Sequence, residues 1–75
     1  MDTGEHVHNR LAVLRADRGV PRRQLAEGLG IHYRTVGHLE RGEYAPSLHL
    51  ALRIARWFDV PVESVYSPED FPPVR

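Results

Sequence analysis

The chain has no cysteine and no lysine, its opposite charges cancel over 75 residues, and it contains no long apolar run. Each absence removes a class of explanation. Without cysteine there are no disulfides, thiolate nucleophiles or cysteine-based metal clusters, a composition that fits a cytoplasmic protein. No apolar stretch approaches the ~18 residues that a membrane span requires, so no membrane association is expected. The opening residues MDTGEHVHNR lack the apolar core of a secretory leader, and none is expected. Internal repeats and low-complexity tracts are also absent. A chain of this length forms one domain, and burying ~60–65% of its unfolded surface gives it one modest core.

What is present is unevenly placed. Residues 10–41 carry seven arginines against Asp17, Glu27 and Glu40, a net charge of +4. Residues 1–9 and residues 42–75 each carry a net charge of −2. A neutral total therefore conceals a basic central segment, the charge distribution expected where phosphates are to be met.

Glycine and proline divide the chain into a predicted all-α, compact five-helix domain. The first helix is expected from about Glu5 or Val7 to Arg18, with Val7, Leu11 and Leu14 inward and Gly19 as its stop. Pro21 suits the start of a second helix ending at Leu29, and Gly30 supplies the left-handed turn residue. The third helix covers roughly His32 to Glu40. Ser47 caps a fourth helix, Leu48 to Phe58, which turns Leu48, Ala51, Ile54, Ala55 and Phe58 to one face. A short fifth helix is expected from Val62 to Tyr66. Residues 1–8 are read as a flexible segment or the beginning of helix one, 9–66 as the domain, and 67–75 as a proline-rich tail without regular structure.

The stretch RRQLAEGLGIHYRTVGHL, from Arg22 to Leu39, is the most informative. Leu25 and Leu29 are four apart and share one helical face; Val36 and Leu39 are three apart and share another. Gly30 separates the two runs, Ile31 follows as a plug, and Ala26 is small where a second helix must cross closely. This is the pattern of a helix-turn-helix formed by helices two and three, the second of which can enter the DNA major groove.

With LRADRG before that motif, QLAEGLGI within it, and LERGEYAPSL and LALRIARWFDV after it, the chain resembles the lambdoid phage repressor and Cro proteins, the Xre-like helix-turn-helix family. The likeness covers about Asn9 to Tyr66. It implies double-stranded DNA as the partner, one helix docked in the major groove, and a homodimer. Arg22 stands where the family places a phosphate-binding Gln, and Arg23 beside it is a second phosphate candidate. Tyr33 and Arg34 stand where base-reading side chains emerge, and Arg34 could clasp guanine O6 and N7. His38, one turn on, could reach base edges or backbone. Arg41 matches a phosphate-contacting position. Arg15 and Glu40 match a structural salt bridge between helices one and three.

Several positions depart from the family pattern. His32 replaces the usual Ser or Thr cap, a loss expected to weaken helix three by ~1 kcal/mol. Gly37 inside helix three costs ~1 kcal/mol against alanine. It either lets the backbone approach DNA closely or is merely tolerated. Gly28 carries the same penalty and is read as an exposed, unselective site. Arg34 stands in place of the common Gln, so no operator is inherited from relatives.

Simpler readings apply elsewhere. Arg10, Arg18, Arg53 and Arg56 read as surface charge. His6 and His8 form an H-x-H pair without further ligands, and His32 and His38 do not share a chelating face, so no metal site is assigned. No catalytic triad or carboxylate pair is present, and neither catalysis nor a cofactor is expected. Leu50 and Trp57, seven apart on helix four, form a candidate dimer interface with Tyr44 nearby; alternatively the tail, through Phe71 and its prolines, covers them. The expected function is a sequence-specific regulator, most simply a repressor on a near-palindromic operator. The alternatives are an antitoxin-like or phage-control module whose main task is to bind a protein partner, and a degenerate motif kept only as scaffold.

Overall fold

The computed structural model describes residues 7–43 and 45–72. Its elements are strand β1 (His8–Asn9), helices α1 (Leu11–Asp17), α2 (Arg22–Leu29), α3 (Tyr33–Glu40) and α4 (Leu48–Phe58), a single 3-10 turn at Val62–Ser64, and strand β2 (Tyr66–Ser67). The strands pair antiparallel, with His8 opposite Ser67 and Asn9 opposite Tyr66. The architecture is four helices with a small strand pair, which corrects the five-helix, all-α expectation at both ends.

At the first end, α1 begins at Leu11 and not at Val7. Asn9 explains the delay. Its Oδ1 accepts from the Leu11 N–H at 3.0 Å, and the Arg10 N–H donates to the Val65 carbonyl at 2.9 Å. The backbone before Leu11 is thus committed to pairing with β2 instead of to an earlier helical turn. Glu5, the other proposed start, lies outside the described residues. At the second end, the expected fifth helix shrinks to one 3-10 turn, closed by the Val65 N–H on the Val62 carbonyl at 2.9 Å. The four residues between Pro61 and the strand are too few to repay helix nucleation, and two of them are valines, which restrict it further. Val65 is fully buried, and the chain then straightens into β2.

The helix-turn-helix itself forms where expected. Gly30 takes φ +71°, and its N–H reaches the Glu27 carbonyl at 3.2 Å while the Ile31 N–H reaches that of Ala26 at 3.0 Å. These bonds satisfy the carbonyls at the end of α2. Leu25 and Leu29 of α2, Val36 and Leu39 of α3, Ile54 and Phe58 of α4, Leu11 and Val65 make one core. The Val36 and Leu39 face of α3 is consumed by that core, which leaves the opposite face outward.

Ser47 Oγ accepts from the Leu50 N–H at 3.1 Å and starts α4. Leu48 does not join the buried stripe: it is 72% exposed, because the stripe begins one turn later at Ala51. Arg18 is not a plain surface charge either. Its NH1 donates to the Phe58 carbonyl at 2.6 Å, tying the end of α1 to the end of α4. In the tail, the Arg10 guanidinium lies 5.2 Å from the centre of the Phe71 ring. Among the described residues no helix is long and apolar enough to cross a membrane.

Candidate nucleic-acid interface

Helix α3 starts on His32. The imidazole Nδ1 accepts from the Arg34 N–H at 3.1 Å, so His32 performs the capping that Ser or Thr would perform, and the expected weakening is corrected. The His32 and Tyr33 rings stack with centroids 4.8 Å apart. The Arg23 guanidinium sits 4.5 Å from the centre of the Tyr33 ring, which orients both side chains at the start of α3. Arg34 is exposed and, among the described residues, its side chain has no hydrogen-bond partner.

Glu40 closes the other end of α3. Its side chain is 3% exposed and is held from two sides: Arg15 Nε lies 2.5 Å from Oε2, and Arg22 NH2 lies 2.9 Å from Oε1. Arg15 NH1 also donates to the Val20 carbonyl at 3.0 Å. One carboxylate thus fastens α1 and the first residue of α2 to the end of α3. A buried charge of this kind persists only when paired, and two guanidinium partners provide that pairing. Asn9 adds a neutral tie, its Nδ2 donating to the Leu39 carbonyl at 3.1 Å. An asparagine two residues before a helix is a recognisable capping signal; its reach across to α3 has no signal in the sequence.

Beyond α3, Arg41 Nε donates to Glu43 Oε2 at 2.7 Å, and the other carboxylate oxygen pairs with His38 Nδ1. Hydrogen bonds from Arg41 first, and from His38 second, hold the Glu43 carboxyl below the ordinary carboxylate range. Sequence reasoning missed Glu43, since nothing in its spacing distinguishes it from any acidic loop residue.

Gly37 is buried, and a Cβ built there would stand 3.2 Å from Arg41 NH1 and 3.6 Å from Arg22 NH1. The space that its missing side chain leaves is filled by the chain's own guanidinium groups. Arg22, Tyr33, Arg34, Gly37, His38 and Arg41 together line one surface concavity of about 210 Å³. Six of the seven residues singled out as DNA contacts therefore converge on one place, with Arg23 beside them over Tyr33.

Leu50 and Trp57 are half-buried and pack against the core. Trp57 lies over Gly28, where a Cβ would come within 2.1 Å of the indole Nε1. Gly28 is exposed but not unselective: it makes room for the indole. Tyr44 lies outside the described residues, as does His6. No group of three or more His, Cys, Asp or Glu that could hold a metal occurs among the described residues.

Residues 11–65 match the helix-turn-helix family. An uncharacterised HTH-type transcriptional regulator of Methanocaldococcus jannaschii is 39% identical over 62 residues, covering 83% of this chain and 94% of the relative. YgzD, an uncharacterised HTH-type transcriptional regulator of Bacillus subtilis, is 40% identical over 58 residues, covering 77% and 88%. Among solved structures, a restriction-modification controller protein from Aeromonas hydrophila superposes with a TM-score of 0.68 at 33% identity, covering 73% of this chain and 83% of that one. A putative DNA-binding protein from Bacteroides fragilis shares the fold with a TM-score of 0.75 at 24% identity, over 81% of this chain and 98% of that one.

Proposed function

The chain belongs to the Xre-like helix-turn-helix family of DNA-binding transcriptional regulators, which are not enzymes, and from that premise we propose that it represses transcription as a homodimer on a near-palindromic operator. The observation that carries this reading is the convergence of Arg22, Tyr33, Arg34, His38 and Arg41 on one surface whose reverse side is locked into the core. Arg34 at the start of α3 is the base reader, Tyr33 and His38 make further contacts to base edges, and Arg22, Arg23 and Arg41 meet phosphates. Two α3 helices related by a two-fold axis would reach half-sites ~34 Å apart.

Duplexes selected from random sequence by the purified protein, followed by titration at several salt concentrations, test the reading. Affinity for the selected duplex falls steeply as salt rises, by ~10³–10⁵ between 50 and 200 mM if six to ten phosphates are contacted. Arg34→Ala keeps the fold and loses ~1–3 kcal/mol of discrimination at one base pair of each half-site. A folded Arg34→Ala protein with unaltered base preference removes Arg34 from the reading, and equal affinity for selected and scrambled duplexes removes the operator.

A second reading, a module for binding a protein partner, draws support from Leu48 and Leu52, which are 72% and 50% exposed and four apart on α4. Arg34→Glu separates the two readings, since Arg34 is exposed and ties no helix to another: it abolishes DNA binding but leaves a partner complex intact.

A further inference from the structure

Two guanidinium groups, from α2 and from the residue after α3, lie over the backbone of Gly37, and each is tethered by a carboxylate. Arg22 is anchored at Nε and NH2, which lie 3.0 Å and 2.9 Å from Glu40 Oε1. Arg41 is anchored at Nε on Glu43 Oε2, the carboxylate whose other oxygen accepts from His38 Nδ1. NH1 of each arginine stands over Gly37, at 3.6 Å and 3.2 Å from the point a Cβ would occupy. Among the described residues, neither NH1 has an acceptor. Three arginines (Arg15, Arg22 and Arg41) face two carboxylates (Glu40 and Glu43), which leaves a net positive charge that an anion accepting from both NH1 groups would offset.

We propose that this concavity is a seat for a single phosphate oxyanion, supplied by the DNA backbone, which accepts from Arg22 NH1 and Arg41 NH1 at once. The proposal rests on the DNA-binding reading above and sharpens it: one phosphate is shared by two arginines, not one bound by each. Gly37 is the positioning residue. Its role is to admit the guanidinium groups and not to touch DNA itself, because an alanine methyl would displace Arg41 NH1 from 3.2 Å. Glu40 sets the position of Arg22, and Glu43 restrains Arg41 while leaving its NH1 available.

The test compares Arg22→Gln, Arg41→Gln, their double variant and Gly37→Ala, each first checked for an unchanged circular dichroism spectrum and melting temperature. The readout is the slope of log affinity against log salt on a selected duplex and on its scrambled counterpart. The double variant is expected to lower the slope by about one per bound subunit on both duplexes, the loss of a single phosphate. Gly37→Ala is expected to lower it in the same direction without altering base preference. A double variant that loses about two, or a folded Gly37→Ala protein whose slope is unchanged, overturns the shared seat while leaving DNA binding in place. Should Gly37→Ala melt early, the comparison of the double with the single variants still decides.

A second arm uses inorganic phosphate and the wild-type protein without DNA, followed by NMR of the arginine Nε–H groups. Arg22 and Arg41 resonances are expected to shift together and saturate together. If they do so while the duplex slopes of all variants match wild type, the source is free phosphate and the backbone assignment falls. If wild-type protein binds no duplex, the functional reading has failed by itself, and independent or absent shifts in this arm remove the seat as well.

Discussion

Gly28 is an exposed position in the middle of a helix, where alanine ordinarily stabilises a protein by about 1 kcal/mol. Here the sign should reverse. A methyl group would stand 2.1 Å from Trp57 Nε1 and 2.9 Å from Cδ1, and a rigid, half-buried indole cannot yield without giving up its contacts. Gly28→Ala is therefore expected to destabilise by ~1–3 kcal/mol in urea unfolding, the cost of overpacking. In a Trp57→Ala background the same substitution should become neutral or stabilising, and a cycle showing no coupling would refute the contact. Composition and periodicity make Gly28 look dispensable because its constraint comes from a residue 29 positions away. His32 illustrates the same limit in milder form. Its imidazole is absent from ordinary capping preferences, yet Nδ1 reaches the Arg34 N–H as a hydroxyl would.

The helices are bounded by different devices, and one of them leaves room for improvement. Gly30 ends α2 at φ +71°, a conformation glycine adopts freely, whereas α4 ends on Asp59 at φ +59°, where a side chain crowds the following carbonyl. Asp59→Gly is expected to stabilise the domain by about 1 kcal/mol, seen as a rise in melting temperature with DNA affinity unaltered. A fall in melting temperature would mean that the Asp59 side chain contributes more than its backbone conformation costs. The extent of α2, α3 and α4 was legible because each combines a periodic apolar face with a glycine, proline or serine at its boundary. The ends of the chain were not. Val7 and Tyr66 fit a helical pattern as readily as a strand, and the choice was made by pairing between segments nearly sixty residues apart, with Arg10 donating to Val65.

Across the whole molecule, the basic concavity and the exposed apolar residues lie on different elements, the first on α2 and α3 and the second on α1 and α4. Leu48 and Leu52 stand on the side of α4 away from Leu50 and Trp57, whose apolar surface is largely spent on their own core. Leu48→Asp combined with Leu52→Asp should leave the fold intact and, if this face joins two copies, convert a dimer to a monomer in sedimentation while weakening operator binding. A dimer that survives this change but dissociates with Trp57→Ala would return the interface to Leu50 and Trp57. Periodicity, turn chemistry and charge are local properties, so the helix-turn-helix, the buried faces of α2 and α3, and the segment of concentrated positive charge are all legible along the chain. That Glu40 clamps two arginines, that Gly37 is roofed by Arg22 and Arg41, and that Gly28 yields space to Trp57 emerges on folding. Those relations depend on distances between side chains of different elements, and such distances exist only once the core has fixed how the helices cross.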